Sequence, residues 1–169
     1  VDGPAVLWAP SGWGKTTLLR ILMGLDTPTA GRVRGVGRAA AVFQEDRLCP
    51  QLTALQNVTL VLPGSEKQYK EQIGADFQQL GMDAAALALP AARLSGGQQR
   101  RTALLRALLC QPVQTLLLDE PFTGMDPDTL AAAAALLRTR CGTEPVLLAT
   151  HDREAIRLLG WPVIELEAL

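Results

Sequence analysis

The residues best equipped for chemistry stand in the segment APSGWGKTT, residues 9–17. Two glycines precede a lysine and a hydroxyl residue. Glycines let several backbone N–H groups converge on an anion, and the N-terminus of a following helix adds partial positive charge. Gly12 and Gly14 would supply the backbone freedom, Lys15 a cation, and Thr16 a hydroxyl for Mg²⁺. The segment predicts a phosphate-binding loop, although an alanine replaces the first glycine of the pattern G-x-x-x-x-G-K-S/T; an ordinary glycine turn is the alternative.

A second reactive pair follows the apolar run TLLL, residues 115–118. Asp119 and Glu120 end this predicted strand, and a proline comes directly after them. Cleavage at a γ-phosphate needs Mg²⁺ and an aligned water. Asp119 can hold the metal through water, and Glu120 can orient or deprotonate the attacking water. A solvated acidic turn is the alternative, which the buried strand before the pair makes weaker.

A third feature is LSGGQQ, residues 94–99, where two glycines open a predicted helix. Ser95 stands where an N-cap residue would, so this is a second anion-binding helix N-terminus. One nucleotide can use both this segment and the phosphate loop only if the fold brings them together. Otherwise the nucleotide of a second subunit uses this one.

The elements around these segments alternate between apolar strands and helices. We predict strands at residues 5–8, 39–43, 115–118, 145–149 and 162–166, with a further short strand at Arg32–Val36, and helices at residues 16–23, 53–60, 66–80, 96–109, 128–140 and 152–159. This alternation predicts an α/β fold with a mainly parallel sheet flanked by helices. The mostly helical block at about residues 45–112 interrupts it, as an inserted subdomain within one domain whose core is formed by residues 1–44 and 113–169.

Composition limits the classes of protein that the chain can belong to. With 16 basic and 17 acidic residues, the net charge of −1 gives no bulk attraction to nucleic acid. No apolar stretch reaches the roughly 18 residues that span a bilayer, and no signal peptide is visible. The three cysteines form no C-x-x-C pair and His151 is the only histidine, which argues against a disulfide scaffold or a zinc site. We therefore expect a cytoplasmic protein with reduced cysteines.

Together these segments resemble the nucleotide-binding domain of ABC transporters. LSGGQQ resembles the family's signature, APSGWGKTT its Walker A loop, and LLLDEP its Walker B strand with the catalytic glutamate. Gln44 in VFQED resembles the Q-loop, residues 124–126 resemble the D-loop, and His151 in ATHD resembles the switch histidine. Order and spacing match from about residue 3 to residue 160. The resemblance implies a P-loop NTPase fold with a RecA-like core and a helical signature subdomain.

The resemblance also implies a role for each matching residue, with ATP and Mg²⁺ as ligands. The ATP of the chain's own site would be bound by the Walker A residues Ser11, Gly12, Trp13, Gly14, Lys15, Thr16 and Thr17. Mg²⁺ would be held by Thr16, Gln44 and Asp119. Glu120 would act as the general base, with His151 contacting the γ-phosphate and Gln44 completing the catalytic group.

The implied partners are a second nucleotide-binding subunit and a transmembrane permease. In a head-to-tail dimer, of two copies or of this chain and a paralogue, the ATP of the facing subunit would meet Leu94, Ser95, Gly96, Gly97, Gln98 and Asp126. The permease would dock beside the Q-loop, at Glu45, Asp46, Arg47, Leu48 and Leu52. This places the chain peripherally on the cytoplasmic face of the membrane, without insertion and without a nucleic-acid partner. The run VFQEDRLCPQLTALQNV resembles importer subunits of the nitrate, sulfonate, taurine and thiamine-precursor type.

The chain departs from the family pattern ahead of the phosphate loop. Family members carry antiparallel strands there, and an aromatic residue that stacks on adenine, but only eight residues precede Ala9. We therefore expect a reduced or missing N-terminal antiparallel layer, in a natural minimal form or a truncated product. Trp8 and Trp13 are candidates for adenine contact by their chemistry alone.

Three further functions compete with an ATPase that powers a membrane transporter. A truncated or turnover-deficient module that only binds nucleotide is one of them. A soluble ABC-type ATPase acting on DNA or ribosomes is another, although such proteins usually carry a coiled-coil insertion or tandem domains that this chain lacks. A small-molecule kinase or a GTPase is disfavoured because LSGGQ has no role in those enzymes and no N-K-x-D guanine motif is present.

Overall fold

The computed structural model describes residues 2–166. Its strands are β1 Pro4–Trp8, β2 Ala39–Val42, β3 Thr115–Asp119, β4 Val146–Thr150 and β5 Val163–Glu165. Its helices are α1 Lys15–Leu22, α2 Ala54–Thr59, α3 Glu66–Gln79, α4 Ala84–Leu87, α5 Gly96–Leu109, α6 Pro127–Cys141 and α7 Arg153–Leu159, with a 3₁₀ turn at Ala91–Arg93. Within residues 2–166, no helix is both long enough and apolar enough to cross a membrane.

The five strands form one sheet in the order β2-β3-β4-β1-β5, and every pair in it is parallel. The predicted α/β fold with a mainly parallel sheet is confirmed. Parallel strands end at the same edge of a sheet, so the segments that follow them meet there. The phosphate loop follows β1, Gln44 lies just beyond β2, Glu120 follows β3, and His151 follows β4. The topology alone therefore gathers residues that are more than 100 positions apart in the chain.

The core lies on both faces of the sheet because successive strand residues point to opposite sides. On one face, Val6, Leu118 and Leu148 join the larger apolar cluster, which helices α2 to α7 help to build. On the other face, Leu7 and Leu117 belong to a smaller cluster with α1. This double burial explains why β1, β3 and β4 are continuous apolar runs rather than alternating ones.

A fully buried asparagine fixes the chain between the Q-loop glutamine and helix α2. The side-chain Nδ2 of Asn57 donates to the carbonyl oxygens of Cys49, Leu52 and Thr53 at 3.0–3.2 Å. Its Oδ1 accepts the backbone N–H of Cys49 at 2.7 Å. Buried polar groups cost free energy unless they are hydrogen-bonded. The four hydrogen bonds of Asn57 therefore hold the backbone of residues 49–53 in place.

The strand predicted at Arg32–Val36 is wrong. Residues 31–38 form bends and irregular backbone. Gly31, Gly35 and Gly37 have φ of 83°, 80° and 62°, in the left-handed region that ends a strand. Short helix α4 was not predicted. Within residues 2–166 the antiparallel pairing is limited to an isolated bridge between Thr53 and Pro90.

One ion pair joins helices α3 and α6, between the exposed Arg140 and the buried Asp76. Nη2 of Arg140 lies 2.6 and 2.8 Å from the two carboxylate oxygens of Asp76, which is 6% exposed. Arg140→Met leaves that buried carboxylate without its cation, so we expect the free energy of unfolding to fall by about 2–3 kcal/mol. Urea denaturation followed by circular dichroism measures this loss.

The matched control is Arg138→Met, which removes an exposed arginine two positions away on the same helix. We expect it to change the free energy of unfolding by no more than about 0.5 kcal/mol. Equal losses in the two variants would contradict a structural role for the Asp76–Arg140 pair.

Candidate active site

A cleft of about 820 Å³ opens at the carboxyl edge of the sheet. Five segments line it, four of which follow separate strands while the fifth opens helix α5. The lining residues are Ser11, Gly12, Gly14, Lys15, Thr16, Thr17, Gln44, Asp46, Gly96, Gly97, Arg100, Asp119, Glu120, Thr123, Gly124 and His151. One space is thus bordered by the residues predicted to be the phosphate loop, the Walker B pair, the Q-loop glutamine, the switch histidine and the signature glycines.

The phosphate loop needs its two glycines for backbone conformation. Gly12 has φ of 84° and Gly14 has φ of 81°, values that residues with a Cβ rarely adopt. A Cβ built on either glycine would meet no atom within 4 Å, so crowding is not the reason. Ala9 is fully buried and is not among the residues with positive φ. An alanine therefore serves at the first position of the loop.

Lys15 is folded back onto its own loop. Its Nζ donates to the carbonyl oxygens of Ala9 at 2.7 Å and Pro10 at 3.2 Å, and it lies 4.0 Å from Oε1 of Glu120. The residue is only 7% exposed. A phosphate oxygen carries more charge than a carbonyl and makes a stronger, charge-assisted hydrogen bond, so it can replace these acceptors.

Trp13 takes a different position from its neighbours in the loop. Ser11 and Thr17 line the cleft, whereas Trp13 is not among the lining residues and is 43% exposed. Trp8 lies at the end of β1, where its ring is 6.0 Å from the guanidinium carbon of Arg153. Adenine contact by either tryptophan stays a prediction.

The pair Thr16 and Asp119 forms the part of the cleft that fits a divalent cation. Thr16 Oγ1 donates to Oδ2 of Asp119 at 2.6 Å. Asp119 is fully buried, its Oδ1 has no hydrogen-bond partner, and burial raises the pKa of its carboxyl. Within residues 2–166 no cluster of three His, Cys, Asp or Glu side chains is placed to hold a metal. One carboxylate and one hydroxyl, with the remaining positions left to water and phosphate, suit Mg²⁺.

Glu120 is held from two sides by the residues that end β4. Thr150 Oγ1 donates to Oε2 at 2.9 Å, the backbone N–H of His151 donates to Oε1 at 3.1 Å, and His151 Nδ1 lies 2.7 Å from Oε1. Glu120 itself has φ of 47°. The structure therefore brings the predicted base and the predicted switch histidine into direct contact. The sequence did not predict a role for Thr150. The available signal was a hydroxyl residue at the end of a predicted buried strand, directly before the histidine.

The signature segment begins helix α5 through a capping box. Ser95 Oγ accepts the backbone N–H of Gln98 at 3.2 Å, and Oε1 of Gln98 accepts the N–H of Ser95 at 2.9 Å. Gly96 and Gly97 line the cleft, and a Cβ at Gly97 would lie 3.2 Å from the carbonyl oxygen of Gly124. Leu94 is 5% exposed and packs in the core. Ser95 and Gly96 are exposed and can therefore be reached by a ligand.

Asp126, the predicted D-loop residue, acts as the N-cap of helix α6. Its carboxylate accepts the backbone N–H of Thr129 at 3.0 Å and the hydroxyl of Thr129 at 2.7 Å. The backbone hydrogen bond from Thr129 is the main cause of the lowered pKa of Asp126. The residue is exposed, so a second subunit can reach it.

The predicted docking residues divide into two groups. Glu45 and Arg47 are exposed and lie 3.4 Å apart as an ion pair. Leu48 is half-buried and packs against the larger core cluster, and Leu52 is half-buried beside Asn57. Asp46 faces the cleft and receives a 2.9 Å hydrogen bond from Arg100 Nη1.

Arg100 is the main site residue that the sequence analysis missed. It is 5% exposed, and its two Nη atoms donate to Asp46, to the carbonyl oxygen of Phe43 and to the carbonyl oxygens of Asp119 and Glu120. A signal was present in the sequence. Position 100 lies on the same helical stripe as buried positions 103, 104 and 107, where an arginine is unexpected unless it has partners.

Known proteins with related sequences are named as import ATP-binding proteins. The chain is 42% identical over 156 residues to the aliphatic sulfonates import ATP-binding protein SsuB 1 of Nocardia farcinica, covering 90% of this chain and 62% of that protein. It is 43% identical over 162 residues to the SsuB 1 protein of Pseudomonas syringae pv. tomato, covering 95% and 58% respectively. The chain therefore spans about three fifths of the length of the curated relatives it matches.

Solved structures and a family model agree with these relatives. The dimeric structure of MJ0796, described as a bacterial ABC transporter cassette, superposes with a TM-score of 0.82 at 28% identity, covering 98% of this chain and 81% of that one. A post-hydrolysis state of the same cassette, bound to ADP and Pi, gives a TM-score of 0.79 at 26% identity and covers 98% and 82%. The family model for the ABC transporter matches residues 5–123, which is more than two thirds of the chain, and this chain therefore belongs to the ABC transporter family.

Proposed function

We propose that the chain binds and hydrolyses ATP as the nucleotide-binding subunit of an ABC transporter, and that the transporter is an importer. One observation carries this proposal: Lys15, Asp119 and Glu120 border a single cleft of about 820 Å³ together with His151. The names of the relatives support import, with aliphatic sulfonates as the substrate class of those proteins. We further propose that residues 45–112 act as the signature-bearing helical subdomain.

Phosphate binding would use groups that already face the cleft. The backbone N–H groups of the loop and of the helix α1 N-terminus would donate to the phosphate oxygens. Lys15 would move from the carbonyl oxygens of Ala9 and Pro10 to the phosphate oxygens. Thr16, Asp119 and Gln44 would hold Mg²⁺ directly or through water. Bound there, Mg²⁺ would neutralise charge that develops on the β- and γ-phosphate oxygens.

Hydrolysis would use Glu120 as the proton acceptor. A water oxygen forms a bond to the γ-phosphorus while the bond from that phosphorus to the bridging oxygen of ADP breaks. The water proton passes to the carboxylate of Glu120, and the products are ADP and phosphate. Thr150 and His151 already hold both oxygens of that carboxylate, which limits its rotamers. His151 is exposed and can turn to the γ-phosphate.

A second subunit would complete the site. Ser95 and Gly96 are exposed at the start of α5, and Asp126 is exposed at the start of α6, so all three can meet the nucleotide of a facing subunit. The dimeric form of the similar MJ0796 cassette supports this arrangement. A permease would dock on the segment led by Glu45 and Arg47, which would place the chain at the cytoplasmic face of a membrane.

The test is nucleotide binding and phosphate release by the wild-type chain and by Lys15→Met. The variant loses a charged donor to the phosphates, so we expect its affinity for Mg²⁺-ATP to fall roughly ten- to a hundredfold by calorimetry. The control Lys70→Met removes an exposed lysine of helix α3 and should bind like the wild type. Equal affinities in the two variants would refute the phosphate loop. Binding by the wild type without phosphate release would favour the turnover-deficient module instead.

A further inference from the structure

Two arginines of helix α5 bind the carbonyl oxygens of two residues with unusual backbone. Within residues 2–166, the non-glycine residues with positive φ are Arg47 and Glu120, each at 47°. Arg106 Nη1 donates to the carbonyl oxygen of Arg47 at 3.0 Å, and Arg100 Nη2 donates to that of Glu120 at 2.7 Å. Residues with a Cβ adopt this conformation only when surrounding contacts enforce it. Helix α5 provides such a contact at both positions.

Arg100 also bonds to residues that precede these two in the chain. Its Nη2 donates to the carbonyl oxygen of Asp119 at 2.6 Å, and its Nη1 donates to Phe43 and to the carboxylate of Asp46. The planar guanidinium presents several donors in a fixed fork, so acceptors bound to it cannot shift independently. Phe43 and Asp46 flank Gln44. One buried side chain thus joins the Q-loop to the end of β3.

We propose that Arg100 is the positioning residue for Glu120. It holds the Glu120 backbone in the left-handed conformation that directs the carboxylate toward Thr150 and His151. Its Nη2 donates to the carbonyl oxygens of both Asp119 and Glu120 and the side chain is 6% exposed, so the contacts assign Arg100 a role that it exerts through Glu120. It also contacts Phe43 and Asp46 beside the Q-loop glutamine. The catalytic consequence rests on the proposed function, whereas the geometry does not.

The test compares Arg100→Met, Arg100→Lys and the control Arg106→Met. Arg106 is on the same helix and bonds to the same loop, at the carbonyl oxygens of Asp46 and Arg47, but the structure gives it no bond to β3 or Glu120. The first measurement is steady-state phosphate release. The second needs no activity: His151 is the only histidine, so its imidazole ¹⁵N signals are assigned without ambiguity and report its contact with Glu120.

For Arg100→Met we expect kcat to fall roughly 100-fold with little change in KM, because a displaced base affects the transition state and not binding. We also expect the His151 signals to move toward those of free imidazole. Arg106→Met should leave both measurements at wild-type values. Wild-type kcat and wild-type His151 signals in Arg100→Met would overturn the proposal.

If Arg100→Met does not fold, Arg100→Lys decides the question. Lysine keeps the charge but loses the planar fork, so the folded variant should show the same two changes to a smaller extent. A folded Arg100→Lys that matches the wild type in both would overturn the proposal. A wild-type chain that releases no phosphate would refute the proposed turnover alone, because the His151 signals still show whether Arg100 positions Glu120.

Discussion

Glu120→Gln is expected to lower the rate of phosphate release by roughly 10²- to 10⁴-fold while ATP still binds. The carboxamide has the size of the carboxylate, and its oxygen can still accept the hydrogen bond from Thr150 or from the N–H of His151. It cannot take the proton of the attacking water. Binding uses the phosphate loop, which this change leaves intact.

Glu120→Gln is also expected to trap a dimer with ATP, which light scattering with and without Mg²⁺-ATP measures. If two subunits enclose ATP head to tail, a variant that cannot hydrolyse it should change from monomer to dimer only when ATP is present. The control Glu154→Gln alters a glutamate that pairs with Arg157 on the surface of α7 and should keep wild-type turnover. Wild-type phosphate release by Glu120→Gln would contradict the role of Glu120 as base. A monomer in both conditions would contradict dimerisation of the isolated chain.

Asp119→Asn is expected to have opposite effects on stability and on function. Burial raises the pKa of the Asp119 carboxyl, so the folded protein binds this proton more tightly than the unfolded chain does. The contribution of this group to stability is therefore greatest at low pH and falls as the pH rises from the unfolded pKa through the folded pKa. At neutral pH the asparagine removes the cost of a buried charge while its oxygen still accepts from Thr16. We expect a higher melting temperature.

The same change should weaken function, because the neutral amide is a poor ligand for Mg²⁺. We expect turnover to fall roughly 10- to 100-fold. Thermal unfolding at several pH values and phosphate release at several Mg²⁺ concentrations measure both effects. The control Asp2→Asn changes an exposed aspartate that precedes β1, at the end of the strand away from the cleft. A melting temperature that falls in Asp119→Asn alone would contradict the assigned cost of the buried charge.

The sequence could predict the elements whose local pattern and tertiary setting agree. The apolar runs that became β1, β3 and β4, with their terminal motifs, are local signals, and the parallel sheet follows from their alternation with helices. The strand predicted at Arg32–Val36 was wrong because the flanking glycines adopt left-handed backbone conformations, which a pattern of residue types does not reveal. Arg100 and Thr150 escaped for another reason. Their roles depend on partners up to 57 positions away that only the fold brings near.

The order of strands in the sheet also bears on how the protein forms on the ribosome. Strand β1 carries the phosphate loop, yet it lies between β4 and β5 and pairs Pro4 with Val146 and Val6 with Val163. Contacts that close such long loops form late, because their entropic cost precedes any gain. The phosphate loop therefore leaves the ribosome before β4 and β5, and β1 has both neighbouring strands only when β5 has been made. Until then β1 lacks at least one neighbour, and unpaired strand edges with apolar side chains are the features that make incompletely folded chains prone to aggregate.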